Sequence, residues 1–108
     1  MELKSAFASA LRHVRTKRHL TQEDFSISSS RTNISLLERA KTIPTLEKLE
    51  HLCSVLKVHP MTLMALCYAA KEGISVETLM GRVLAEAQEF DVAMDHSIFS
   101  GMPGTSVK

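Results

Sequence analysis

The stretch that decides the fold is Ser30-Arg31-Thr32-Asn33-Ile34-Ser35-Leu36-Leu37-Glu38-Arg39. At the spacing of a helix, Ile34 and Leu37 fall on one side of this stretch, which predicts a short helix with an apolar inner face. The outward side chains are then Arg31, Thr32, Asn33, Ser35 and Leu36. These side chains could read another surface, and our hypothesis is that this surface is the major groove of DNA.

Composition and cysteine usage bound the class of protein. A chain of 108 residues can form one domain with a modest core. Cys53 and Cys67 belong to no CxxC or Cys/His cluster, which predicts buried, reduced thiols of a cytoplasmic protein and no metal site. No apolar run approaches the roughly 18 residues that a membrane span needs, and the N-terminus lacks a signal-peptide pattern. We therefore expect no membrane association.

The charges are unevenly distributed along the chain. Residues 1–60 contain ten Lys/Arg and six Asp/Glu, a net charge of +4, whereas residues 61–108 contain three Lys/Arg and six Asp/Glu, a net charge of −3. This asymmetry indicates that only the first part faces a polyanion. An ordinary solvated surface with a chance asymmetry is the alternative.

The first two predicted helices lead into the opening stretch. The first runs to about Lys17 and its apolar face consists of Leu3, Phe7, Leu11 and Val14. Arg15 lies at the edge of that face, where we expect a carboxylate to meet its guanidinium. Thr21 is the predicted N-cap of a short second helix with Phe25 at its staple position. A serine-rich turn at 26–30 then leads into the third helix, a helix-turn-helix pattern.

Three further helices are predicted after the opening stretch: Thr45 caps the fourth, His59 and Pro60 open the fifth with proline at its first position, and Ser75 caps the sixth. The fourth helix has an inner face made of Leu46, Leu49, Leu52, Cys53 and Leu56. The fifth is apolar nearly all round, which predicts that it is buried. The sixth carries a stripe that packs on the chain's own core or on a symmetry mate, and this stripe consists of Leu79, Met80, Val83, Leu84, Ala87 and Phe90. Residues 94–108 are a predicted flexible tail.

Three segments carry a specific order of motifs: LRHVRTKRHLTQEDF at 11–25, SRTNISLLERAKTIPTLEKL at 30–49 and LKVHPMTLMAL at 56–66. Together they resemble the XRE family, the prokaryotic Cro/C1-repressor-like helix-turn-helix transcription factors. The resemblance implies an all-α, five-helix lambda-repressor-like DNA-binding bundle over residues 1–72. A C-terminal sixth helix over 73–93 is then a candidate oligomerisation element, and 94–108 is the tail.

The resemblance also implies roles for individual residues. The helix from about Arg31 to Arg39 would enter the major groove of double-stranded DNA. The implied base-contacting residues are Arg31, Thr32, Asn33, Ser35 and Leu36. The implied phosphate-contacting residues are Gln22, Ser30, Arg39, Lys41 and Thr42. Arg15 and Glu38 match a partly buried ion pair that ties the first helix to the third, which we interpret as structural.

The sequence departs from the family pattern at three points. The turn between the second and third helices is short, and serines replace its usual glycine. Ala40 stands where a glycine often ends the third helix, and a positive φ there would cost alanine about 1 kcal/mol. The sixth helix and the tail lie outside the common module.

The leading hypothesis is a transcriptional regulator, neither an enzyme nor a cofactor-binding protein, that acts as a homodimer on a pseudo-palindromic site with half-sites ~34 Å apart. Repression is favoured over activation, and a larger assembly or a contact with a regulatory protein or RNA polymerase stays open. The alternative is a protein-interaction module, such as an antitoxin or anti-repressor partner. A third hypothesis is redox control through Cys53 and Cys67. The histidines show no metal-binding or catalytic spacing.

Overall fold

The computed structural model describes residues 1–25 and 31–93, with the backbone alone at 31–33 and 91–93. Over those residues the chain forms five α-helices, one short 3-10 helix and no strand, which confirms the all-α fold class. The elements are α1 Leu3–Lys17, the 3-10 helix Gln22–Phe25, α2 Arg31–Glu38, α3 Leu46–Leu56, α4 Pro60–Glu72 and α5 Val76–Ala93. The predicted second helix is therefore 3-10 where it is described. The serine turn and the predicted tail lie outside the described residues.

The predicted helix starts at Thr45, His59 and Ser75 are present. In each, the side chain accepts a hydrogen bond from a backbone N–H two or three residues further on, at 3.1, 3.0 and 3.0 Å respectively. The start at Thr21 differs, because the carboxylate of Asp24 reaches back to accept from the backbone N–H of Thr21 at 2.6 Å. All four arrangements satisfy N–H groups that a helix leaves unpaired at its first turn.

Four helices end in the same backbone motif. One or two residues after the end of each helix, the backbone adopts the left-handed conformation, at His19, Ala40, Lys57 and Gly73. In each case the next N–H donates to the carbonyl five residues earlier, at 2.9–3.1 Å. Ala40 has a φ of 59°, so the positive φ considered from the sequence is present and is adopted by a residue with a Cβ.

The core lies where α1 crosses α4 and α2. It includes the predicted apolar face of α1, Phe25 of the 3-10 helix, and Ile34 and Leu37 of α2. The largest fully buried side chains are Phe7, Leu11, Phe25, Ile34, Leu37, Leu52, Leu56 and Leu63. Cys53 and Cys67 are buried in the same cluster, as predicted. This single core holds α2 against the rest of the bundle.

Two expectations about apolar residues are wrong. Leu46 was expected on the inner face of α3, yet it is 83% exposed, because it is the first residue of α3 and lies ahead of the turn that meets the core. Met61 in α4 is 56% exposed, so α4 is not buried all round. Both side chains border an open groove beside α5 rather than the core.

Within the described residues, no single helix is long and apolar enough to cross a membrane. Only α3 and α4 taken together reach the required length and composition, and the chain bends by 104° between them.

Candidate nucleic-acid interface

α2 is attached to the bundle through one face. Ile34 and Leu37 are 0% and 2% exposed, whereas Ser35 and Leu36 between them are half-buried on the other side. At 1.5 Å per residue, the eight residues of α2 make a rod about 12 Å long. A short helix of this kind keeps its orientation through packing and ties to its neighbours rather than through its own hydrogen bonds.

The strongest of these ties joins Arg15 of α1 to Glu38 at the end of α2. The guanidinium donates Nε to Oε2 at 2.5 Å and Nη2 to Oε1 at 2.9 Å, a bidentate pair. The two side chains are 12% and 3% exposed. Hydrogen bonding to Glu38 raises the pKa of Arg15, burial lowers it, and the charge of the carboxylate raises it further, with a net rise. Arg15 therefore stays charged and α2 is held against α1.

Two more hydrogen bonds extend this ion pair to the 3-10 helix. Arg15 donates Nη1 to the carbonyl of Leu20 at 2.9 Å, and the side-chain amide of Gln22 donates to Oε1 of Glu38 at 3.1 Å. We define the ion-pair network as Arg15, Glu38, Leu20 and Gln22. It joins three elements at one buried carboxylate, so their relative geometry is determined within a single chain.

The predicted contact residues are only partly described. Gln22 is half-buried at the start of the 3-10 helix and uses its amide inside the network. Arg39 and Lys41 are exposed after α2, and Thr42 is half-buried beside them. Arg31, Thr32 and Asn33 form the first turn of α2, described by their backbone alone, and Ser30 lies outside the described residues.

Sequence reasoning missed the polar residues on the outer side of α1. Ser9, Arg12, His13 and Thr16 line an open concavity of about 590 Å³ together with the end of α2. The spacing of these residues along α1 places them on one face, but a helical pattern alone does not reveal which element lies beside that face.

A second surface lies between α4 and α5. We define the α4/α5 groove as an apolar groove of about 460 Å³ whose lining includes Leu46, Met61, Met64, Tyr68, Met80 and Val83. The predicted stripe of α5 is divided between two roles. Leu79 is 7% exposed and faces the chain itself, whereas Leu84 and Phe90 are 57% and 65% exposed.

The described residues offer little for other chemistry. Among residues 1–25 and 31–93, no three His, Cys, Asp or Glu side chains are grouped as a metal site would require. Burial raises the pKa of the Cys53 thiol to about 11. Burial also raises the pKa of the Cys67 thiol, although the charge of Lys71 lowers it in part. A raised pKa leaves little reactive thiolate at neutral pH.

The 3-10 helix followed by α2, which packs on the bundle through Ile34 and Leu37 and is tied to α1 by an ion pair, has the element order of a helix-turn-helix motif. Residues 11–63 match the model of a helix-turn-helix family. This segment of the chain belongs to the Cro/C1-type helix-turn-helix family, also called XRE, whose members are DNA-binding regulators. No curated protein and no solved structure matches the chain.

Proposed function

We propose that this protein is a sequence-specific regulator that binds double-stranded DNA with α2 in the major groove. The observation that carries the proposal is the ion-pair network, which holds α2 at its carboxyl end while Ile34 and Leu37 hold it from beneath. A reading helix must keep its geometry to within a fraction of an ångström if its side chains are to select bases.

Base reading is assigned to the outward residues of α2, which are Arg31, Thr32, Asn33, Ser35 and Leu36. Arg31 can fork onto a guanine and Asn33 can pair with an adenine, and each such pair discriminates by about 1–3 kcal/mol. The phosphate contacts are assigned to Gln22, Ser30, Arg39, Lys41 and Thr42. For Gln22 this contact uses the amide hydrogen that does not bind Glu38.

The same proposal includes a homodimer formed through the α4/α5 groove. A second copy fits as occupant because the groove offers large apolar side chains while its rim carries both charge signs. Arg82 lies 3.2 Å from Glu86 and 4.0 Å from Glu72 at that rim. Two copies related by a two-fold axis would present two α2 helices to half-sites ~34 Å apart. Repression by occluding RNA polymerase is the simplest mode of action.

Selection of binding sequences from random duplexes tests this function. We expect a pseudo-palindromic consensus, and binding that weakens with salt at a log-log slope of about −0.9 for each phosphate contacted. Arg31→Ala and Asn33→Ala should lose affinity mainly for the consensus, whereas Lys41→Ala should lose it on every sequence. An absence of duplex affinity would contradict the proposal and favour a protein-interaction module.

A further inference from the structure

Apart from Arg39, none of the residues that line the concavity beside α1 has a DNA contact assigned to it above. This concavity lies between the outer side of α1 and the carboxyl end of α2, with a volume of about 590 Å³. Its polar lining consists of Ser5, Ser9, Arg12, His13, Thr16, Glu38 and Arg39. We call this surface the α1 cleft. It contains hydroxyl and cationic donors side by side, the groups that proteins use to bind phosphate oxygens.

The positive charge of the α1 cleft is not neutralised inside the chain. Arg12 is exposed, and no carboxylate of the described residues lies within salt-bridge distance of it. Arg39 is also exposed, and among the described residues its Nε makes one long contact, of 3.4 Å, with the carbonyl of Ser35. The carboxylate that lines the cleft is Glu38, which is 3% exposed and already binds Arg15 and Gln22. The cleft therefore presents a positive surface to solvent.

The position of the α1 cleft follows from the length of α2. A rod about 12 Å long is comparable with the major groove, which is about 12 Å wide. When the amino-terminal residues of such a helix meet the bases, its carboxyl end reaches the edge of the groove. The sugar-phosphate backbone of one strand runs along that edge, and it would then meet the α1 cleft, which begins at the carboxyl end of α2 with Glu38 and Arg39.

We propose that the α1 cleft binds the DNA strand that borders the major groove at the carboxyl end of α2, with Arg12 as a phosphate-contacting residue beside Arg39. This inference rests on the proposed DNA-binding function and extends the interface onto α1. From Ser5 to Thr16 the cleft follows about 16 Å of helix axis, long enough for a continuous strand rather than a single anion. The hydroxyl of Ser9 then serves as an additional donor to that strand, whereas the hydroxyl of Thr16 already donates to the carbonyl of His13 at 3.1 Å.

A salt titration of the full chain with Arg12→Gln tests the inference. The loss of one phosphate contact should reduce the log-log salt slope by about 0.9 and weaken random and selected duplexes equally, by roughly 3- to 10-fold. Arg12→Lys keeps the charge and should retain most of the slope. Lys71→Gln removes the same charge at the end of α4, outside the cleft, and should change nothing.

A second measurement uses proximity instead of affinity. Ser9→Cys supplies an accessible thiol, while Cys53 and Cys67 are buried, so a DNA-cleaving iron chelate can be attached to position 9 selectively. We expect strand cleavage at the edge of the bound site, and none from the same reagent on Lys71→Cys.

The outcomes separate the two proposals. Duplex binding by the wild-type chain, with an unchanged salt slope in Arg12→Gln and no cleavage from position 9, would overturn the α1 cleft and leave the DNA-binding function intact. If the wild-type chain binds no duplex at all, the proposed function fails and this inference fails with it.

Discussion

The α1–α2 end of the molecule and the α4/α5 groove differ in where their side chains find contacts: within the chain at the first, and facing solvent at the second. At the α1–α2 end, a carboxylate that is 3% exposed has both oxygens hydrogen-bonded to side chains of the same chain. In the lining of the groove, Met61 is 56% exposed and Met80 is 40% exposed. The described side chains of α5 make one polar contact with another helix, from Arg82 to Glu72. The buried carboxylate of the α1–α2 end is satisfied within one chain, whereas the groove is a surface that a partner would complete.

The largest expected effect concerns the ion-pair network. Arg15→Ala should lower the free energy of unfolding by about 3–5 kcal/mol, because it leaves the buried carboxylate of Glu38 unpaired. Arg82→Ala removes an exposed pair with Glu86 in α5 and should cost no more than about 1 kcal/mol. Urea unfolding followed by circular dichroism at fixed protein concentration measures both, and equal losses would remove the contrast between the two ends.

The next largest effect concerns the proposed dimer contact in the α4/α5 groove. Met80→Glu places a carboxylate among the apolar side chains of the α4/α5 groove, so the proposed dimer should dissociate at roughly 100-fold higher concentration than the wild type. Gln88→Glu adds the same charge on α5 outside the groove and should have little effect. Light scattering over a dilution series compares them. A dimer that survives Met80→Glu unchanged would show that the partner uses another surface.

A smaller effect lies at the end of α2. Ala40→Gly should raise the free energy of unfolding by about 1 kcal/mol, because glycine adopts the φ of 59° without the clash of a Cβ. Ala85→Gly, in the exposed middle of α5, should lower it by about 0.5–1 kcal/mol. Thermal unfolding gives the two signs, and a loss of stability in Ala40→Gly would mean that the alanine methyl makes a favourable contact there.

The smallest effect near neutral pH concerns the core shared by both regions. The folded-state pKa of Cys53, about 11, lies above the usual value of about 8.5. Between those pH values the unfolded state releases the thiol proton while the folded state keeps it. The contribution of this thiol to the free energy of unfolding is therefore fully present below pH ~8.5 and is lost as the pH rises toward 11. Cys53→Ala should flatten this part of the pH profile. Rapid labelling of native Cys53 at pH 7 would contradict the burial and revive redox control.

Local sequence patterns predicted most of the helices and their ends. Thr45, His59 and Ser75 start their helices as expected, because capping depends on atoms two or three residues away. Leu46 was misjudged, since helical spacing cannot tell whether the first turn of a helix extends beyond the core. The α1 cleft was missed for a related reason, because the residues of α1 that line it become a site only where the end of α2 lies beside them.

The sequence by itself determined the all-α class and the boundaries of the described helices to within a residue or two. It also determined the face, formed by Ile34 and Leu37, through which α2 packs on the core. These follow from periodicity and capping, which are local. Only the tertiary structure decided that Glu38 receives Gln22 as well as Arg15, that Leu79 turns inward while Phe90 stays exposed, and that Arg12 and Arg39 share one concavity. Those relations join residues that are distant along the chain, so they depend on how the helices pack.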